Sequence, residues 1–168
     1  NTIIMKDGKI VLDEPSVVAF DLRTNEVLAI GHEAREMYEK AHAYIRTVRP
    51  LRDGVIADFN AAEQMIRGMV KMLNKKSHRL FTPSLRMVVS IPSGSTQVEI
   101  RAVHDSSEHA GGRDVYMLFE PMAAAIGIGV DVLAPQGNMI VDIGGGTTEV
   151  AVISYGGIAT KQSIRTAG

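Results

Sequence analysis

Residues Asn138 to Ser154 read NMIVDIGGGTTEVAVIS. An apolar strand ends on Asp142, the glycines Gly144, Gly145 and Gly146 follow after Ile143, then Thr147 and Thr148, then a second apolar strand. Glycine has no Cβ, so such a turn lets the backbone approach a ligand closely. Its N–H groups can form a nest for phosphate oxygens. Asp142, beside the nest, can hold a hydrated Mg²⁺, a hard cation that prefers oxygen and keeps several waters. The threonines add hydroxyl donors. Read alone, the stretch is a phosphate-binding β-hairpin or a plain hairpin turn, because Gly-Gly is also a common turn dipeptide. It is not a P-loop, which needs a Lys. It is not a dinucleotide fingerprint either, since a strand follows and not a helix.

Upstream of the hairpin, strand and helix patterns alternate, as in an α/β sheet. Arg86 to Ile91 (RMVVSI) is a strand stopped by Pro92. Thr96 to Ala110 is a helix, with Thr96 and Glu99 at capping-box spacing and Gly111 just past its end. Asp114 to Phe119 (DVYMLF) is a strand, and Glu120-Pro121 opens a small apolar helix, MAAAIG, with Pro in its first turn. Gly157 to Arg165 reads as a strand after the hairpin.

The first part of the chain predicts short strands: TIIM and KIVL around the turn Lys6-Asp7-Gly8-Lys9, then SVVAF at 16–20, then Glu26 to Ile30. His32 to Ala43 reads as a polar helix and Arg49 to Asp58 as a loop. Asn60 is expected to start the clearest helix, with Glu63 completing a capping box. Ala62, Met65, Ile66, Met69, Val70 and Leu73 form one apolar stripe along it. The methionines there read as core packing, and Lys75 and Lys76 suit the negative end of the helix dipole. This order of elements is compatible with a ribonuclease-H-like α/β core.

The chain has 168 residues, enough for a hydrophobic core. Its formal net charge of −1 gives no argument for nucleic acid as a partner. It contains no Cys, which excludes disulfides and thiolate metal sites and fits a reducing compartment. There is no run of about 18 apolar residues that would make a transmembrane helix, and no signal peptide is visible. The chain opens on Asn1 and closes on Thr166-Ala167-Gly168, so both ends are expected to be cut from a longer protein.

Three segments in order, Asp53 to Phe59 (DGVIADF), Glu120 to Gly127 (EPMAAAIG) and Asp142 to Ser154, together resemble the MreB family of bacterial actin homologues. The likeness extends to the early EPSVVAF and the final SIRTAG. It implies an actin-like ATPase domain, α/β with the ribonuclease-H-like core, of which this chain is domain I only, truncated at both ends. The core subdomain would comprise about residues 1–20 and 59–168 and a small inserted subdomain about 21–58. Domain II, with the adenine-binding part, would follow Gly168. Sugar kinases, chaperone ATPases and plasmid-segregation or division actins share the wider fold and remain alternatives.

The resemblance also assigns roles. Asp142 to Thr148 would be the second phosphate loop. Asn1 and Thr2 would be the remnant of the first, whose acidic residue and glycine lie before this chain. Gly144, Gly145 and Gly146 would wrap the β and γ phosphates of ATP, with Thr147 and Thr148 beside them, and Asp142 would hold Mg²⁺ through water. Hydrolysis needs an in-line water and stabilisation of the spreading charge. Glu120 matches the family's catalytic Glu and Thr147 the Thr that helps hold that water. Without the resemblance, Glu120 is an acid at a helix N-terminus, favourable by about 0.3–1 kcal/mol. Phe119 stands where family members carry a second acid. Half a nucleotide site implies weak binding, and no turnover, from this chain alone. His104 and His109, five apart on one helix, have poor geometry for a shared metal, and Glu149 reads as an exposed strand position.

Asn74 to Leu85 reads NKKSHRLFTPSL. Lys75, Lys76 and Arg79 lead to Leu80 and Phe81, and adjacent large apolar residues in a loop either fold back on the core or meet a partner. The resemblance favours a membrane-binding loop. The expected partners are then other copies of the protein in a filament, inner-membrane lipid and membrane proteins of wall synthesis, with no nucleic acid. The expected location is the cytoplasmic face of the cell membrane, and the expected role is maintenance of rod shape.

Overall fold

The computed structural model describes residues 1–38, 40, 43–52, 55–75 and 85–164. Strands β1 (Thr2–Lys6) and β2 (Lys9–Glu14) form an antiparallel hairpin. Asp7 and Gly8 at its tip have φ of 51° and 71°, the left-handed pair that a twisted two-residue turn requires. Strands β3 (Val18–Asp21) and β4 (Val27–Ile30) are followed by helix α1 (His32–Tyr38) and strand β5 (Ile45–Val48). They make an antiparallel sheet of order β4-β3-β5. The short strands β6 (Leu51–Arg52) and β7 (Val55–Ile56) pair with one another before helix α2 (Phe59–Lys75). Then come β8 (Leu85–Ile91), α3 (Gln97–His109), β9 (Gly112–Phe119) and α4 (Glu120–Gly127), with β8 and β9 paired. The chain continues through β10 (Asn138–Ile143), β11 (Thr148–Ser154) and β12 (Gly157–Ile164), an antiparallel sheet of order β10-β11-β12.

Contacts gather into two units. One comprises Asn1–Leu51, Ile56–Arg86 and Asp105–Asp114; the other comprises Arg52–Val55, Met87–His104 and Val115–Gly168.

The core of the first unit forms around β3. Val18 and Phe20 point to one face and pack with Ile30, Ala61, Met65 and Met69. Val17 and Ala19 point to the other and pack with Ala29 and Ala34. A strand buried on both faces reads as a continuous apolar run, which is why SVVAF lacks alternation. Most of the apolar stripe of α2 is core: Ala62, Met65, Met69 and Val70 are buried together with Ala61, while Ile66 and Leu73 are half-buried. Gly68 lies so close to the Ile30 side chain that a Cβ there would collide with it.

Two local expectations are corrected. The cap of α2 is Asp58, not Asn60: the Ala61 N–H donates to Asp58 Oδ1 at 2.9 Å. Asp58 therefore satisfies the donor three residues on, and the helix starts one residue earlier than the Asn60 reading placed it. Helix α1 ends at Tyr38, short of Ala43. The chain must turn by then, because Ile45 to Val48 pairs with β3 and Leu22 N–H donates to the Tyr44 carbonyl at 2.9 Å. The second capping box does form. Thr96 N–H and Oγ1–H donate to Glu99 Oε2 at 2.7 and 2.9 Å, and Glu99 N–H donates back to Thr96 Oγ1 at 3.3 Å.

In the second unit, α4 lies on the β10-β11-β12 sheet. Met122, Ala125, Ile140 and Ile153 form its core, with Leu118, Ala124, Val130, Val132 and Ile158 packed around them. The small side chains of MAAAIG allow that close helix-on-sheet contact. Among the described residues no helix is long and apolar enough to cross a membrane.

Candidate functional site

The hairpin is in place as the sequence predicts. Residues β10 and β11 contribute run in register from Asn138 opposite Ile153 to Ile143 opposite Thr148. Gly144 to Thr147 form the tip, and the Gly144 N–H donates to the Thr147 carbonyl at 2.8 Å, closing the turn. A Cβ on Gly144 would stand 3.3 Å from that carbonyl oxygen, a tight contact. Gly145 differs: its φ is not left-handed, and a Cβ there would meet no atom within 4 Å. The chain's own packing thus does not require glycine at 145. Open space above a glycine tip is what a closely approaching ligand needs.

Glu120 is the first residue of α4, after Phe119 in extended backbone (φ −68°, ψ 137°) and before Pro121. Phe119 offers no side-chain cap, so the acid at 120 is the group that meets the positive end of the short helix. Its carboxyl is pushed up from 4.5 to about 7, first by burial, then by the negative charge of Glu149, then by that of Asp142. The fold therefore brings Glu120, Asp142 and Glu149 into one electrostatic neighbourhood, from α4, β10 and β11. Asp142 and Glu149 face one another directly across the two strands.

Glu149 corrects the sequence reading. It is 1% exposed, not a surface strand position. The reason is the period of the strand: Glu149, Ala151 and Ile153 alternate onto the buried face of β11. That alternation, counted back from Ile153, was the available signal. Oε1 of Glu149 accepts from Ser93 N–H at 2.8 Å and from Ser93 Oγ–H at 2.9 Å, while Oε2 is buried without a partner. Ser93 itself was not singled out from sequence, because a serine after Ile-Pro carries no signature of its own.

Asn1 and Thr2 belong to the first unit. There Asn1 Nδ2 donates to Asp13 Oδ1 at 2.9 Å and Thr2 Oγ1 shares a hydrogen bond with Ser16 Oγ at 2.8 Å. Lys76, Arg79, Leu80 and Phe81 lie outside the described residues, and Lys75 is the last residue of α2. Among the described residues, one trio of metal-ligating types brings its ligand atoms within 4.8 Å: His104, Asp105 and Glu108 on α3. His109 is not in it and stands 3.3 Å from Glu63 Oε1. Asp142 is in no such trio, so a Mg²⁺ there would keep most of its waters, as that ion prefers. The Asp142 carboxylate, with the negative charge of Glu149 opposite it, is the oxygen donor type that a hydrated hard cation takes.

The family described as MreB/Mbl protein matches residues 1–168. The cell shape-determining protein Mbl of Bacillus subtilis is 48% identical over 169 residues, covering 100% of this chain and 50% of that protein. The cell shape-determining protein MreB of Escherichia coli K12 is 46% identical over 173 residues, covering 100% and 49%. Among solved structures, MreB5 of Spiroplasma citri bound to ADP matches with a TM-score of 0.80 at 36% identity, covering 96% of this chain and 47% of that one. The same protein bound to AMPPNP matches equally. The chain thus spans about half the length of these relatives. Its fold is actin-like, as its motifs predict, and the chain belongs to the MreB/Mbl protein family.

Proposed function

We propose that this chain is part of an actin-like cytoskeletal ATPase that polymerises into filaments on the inner face of the cell membrane, maintains rod shape and organises wall synthesis. The observation that carries the nucleotide part is the convergence of the glycine tip, Asp142 and Glu120 within one unit. The relatives named cell shape-determining proteins, and the ADP- and AMPPNP-bound structures of MreB5, support the reading. The proposed site residues are Glu120, Asp142 and Gly144 to Thr148; Asn1 and Thr2, at the head of β1 in the other unit, are proposed as the remnant of the first phosphate loop. Residues 1–20 and 59–168 would be the core subdomain and 21–58 the inserted one.

In this reading the glycine tip approaches the β and γ phosphates of ATP, and Thr147 and Thr148 add hydroxyl donors. Glu120 orients the attacking water and accepts its proton in the ionised form. A Mg²⁺ held through water by Asp142 would neutralise charge on the phosphate oxygens.

The membrane part rests on Lys75, Lys76, Arg79, Leu80 and Phe81. Two inserted apolar side chains supply about 1.5–3 kcal/mol each at most, and each basic residue adds about 1 kcal/mol against anionic lipid. After ordering costs that is marginal for one subunit, so attachment depends on a filament presenting many loops.

Co-sedimentation of the full gene product with anionic vesicles, with and without ATP and Mg²⁺, tests both parts. Nucleotide-dependent filaments should pellet on lipid, and Leu80→Ser with Phe81→Ser should abolish lipid pelleting while filaments persist. A protein that stays monomeric and off the lipid would overturn the cytoskeletal reading and leave a kinase-type ATPase as the successor.

A further inference from the structure

Among the described residues, Glu149 is the one charged side chain in the buried set. Its neighbours on that face of β11 are Ala151 and Ile153, so packing alone would be served by an apolar residue. A buried carboxylate with one oxygen unpartnered is costly, and a like charge directly opposite, Asp142, adds to the cost. A group kept at that expense calls for a role.

Its contacts indicate one. Both donors of Ser93 end on Glu149 Oε1. On the other side of Ser93, its carbonyl accepts from Lys161 Nζ at 2.6 Å. The same Nζ lies 4.1 Å from the centroid of the Phe119 ring, and Phe119 immediately precedes Glu120. The next loop residue, Gly94, approaches so closely that a Cβ would stand 3.2 Å from Ser163, and Ser163 is the cross-strand partner of Glu149. The loop after β8 is thus gripped at consecutive residues by β11 and β12, and the grip runs through Lys161 to the residue before Glu120.

We propose that Glu149 is a positioning residue: anchored on Ser93, it latches the loop after β8 onto the phosphate hairpin and keeps a fixed negative charge beside Glu120. This rests on the reading of Glu120 as the residue that orients water. Glu149 is 1% exposed on the inner face of β11, so its action would run through Ser93 and through Glu120. The charge effect has the matching sign, since after burial the Glu149 charge is the largest influence raising the Glu120 carboxyl.

Glu149→Gln in the full gene product separates the alternatives. The amide keeps an oxygen for both Ser93 donors and removes the charge. ATP turnover should fall about tenfold or more, as loss of positioning does, with KM for ATP unchanged. The melting temperature should hold or rise, because repulsion with Asp142 and Glu120 is relieved. Ser93→Ala, which removes one donor, should lower kcat in the same direction by less. Unchanged kcat, a raised KM at constant kcat, or a melting temperature that falls together with kcat would each overturn the positioning role. Amide hydrogen exchange at Ser93 reads the latch without turnover: Glu149→Ala should accelerate it about tenfold or more, the loss of a hydrogen bond to a charged group. Unchanged exchange overturns the latch. A wild-type protein without ATP turnover would instead defeat the functional reading, while the exchange experiment still decides the latch.

Discussion

Glu120 should make the stability of this protein depend on pH near neutrality. Its carboxyl titrates near 7 and not at its ordinary 4.5, because burial and the charges of Glu149 and Asp142 disfavour the ionised form. For an acid raised in the folded state, the folded chain holds the proton more tightly than the unfolded chain. The contribution of Glu120 is therefore fully present below pH 4.5 and is lost as pH rises through about 7. At about 1.36 kcal/mol per pH unit, the displacement from 4.5 to about 7 amounts to about 3 kcal/mol at full weight. Water reaches this half-buried side chain, so screening reduces the figure to about 1–2 kcal/mol. Glu120→Gln removes the titration while keeping the size of the side chain. Urea unfolding of wild type and variant at intervals from pH 5 to pH 8 should show wild type losing about 1–2 kcal/mol relative to the variant across that range. Mg²⁺ alone should move the midpoint down, since a cation near Asp142 offsets one of the two charges responsible. Parallel stability curves for the two proteins would refute the electrostatic neighbourhood of Glu120, Asp142 and Glu149 described above.

Gly145→Ala should leave the fold intact, because the added Cβ meets no atom within 4 Å and the backbone there is not left-handed. The methyl group should instead crowd a phosphate, weakening ATP binding by about 1–3 kcal/mol in isothermal titration; unchanged affinity would mean that the tip does not approach the nucleotide. Met69→Ala, at a position with 0% exposure in the α2 and β3 core, should cost about 2–5 kcal/mol in urea unfolding. A loss below about 1 kcal/mol would mean that the cavity collapses and that the stripe is less tightly packed than its burial indicates.

What the sequence made legible was whatever carries a local signature. The glycine hairpin, the Thr96 and Glu99 box, Pro121 in the first turn of α4 and the methionine stripe of α2 are each fixed by a few adjacent residues. The structure departs from the sequence reading at helix ends, where two adjacent caps compete or a distant strand decides. Asn60 and Asp58 are both good caps, and the choice fell to Asp58, whose carboxylate reaches the Ala61 N–H. Helix α1 has a polar pattern that could run on to Ala43, but it ends at Tyr38, and the chain pairs with β3 from Ile45 to Val48. The first competition is local and turns on which carboxylate or amide reaches the N–H; the second is not visible within a window of a few residues.

At Glu149 two sequence signals conflict, since the strand's alternation points the residue inward while its charge argues for the surface. Charged residues are almost never fully buried, so the type of residue argued for the surface while the alternation argued for the core. Alternation won because slipping β11 by one residue would expose Ala151 and Ile153, 1% and 0% exposed, to save one carboxylate. A strand locked in register by its apolar neighbours can thus hold a charge where water would otherwise claim it. The consequence is a carboxylate on the inner face of the hairpin, tied to Ser93, whose field acts on Glu120. A place where the residue type and the pattern disagree is where a fold most often accepts a local cost, and here that place adjoins the residue assigned to move the proton.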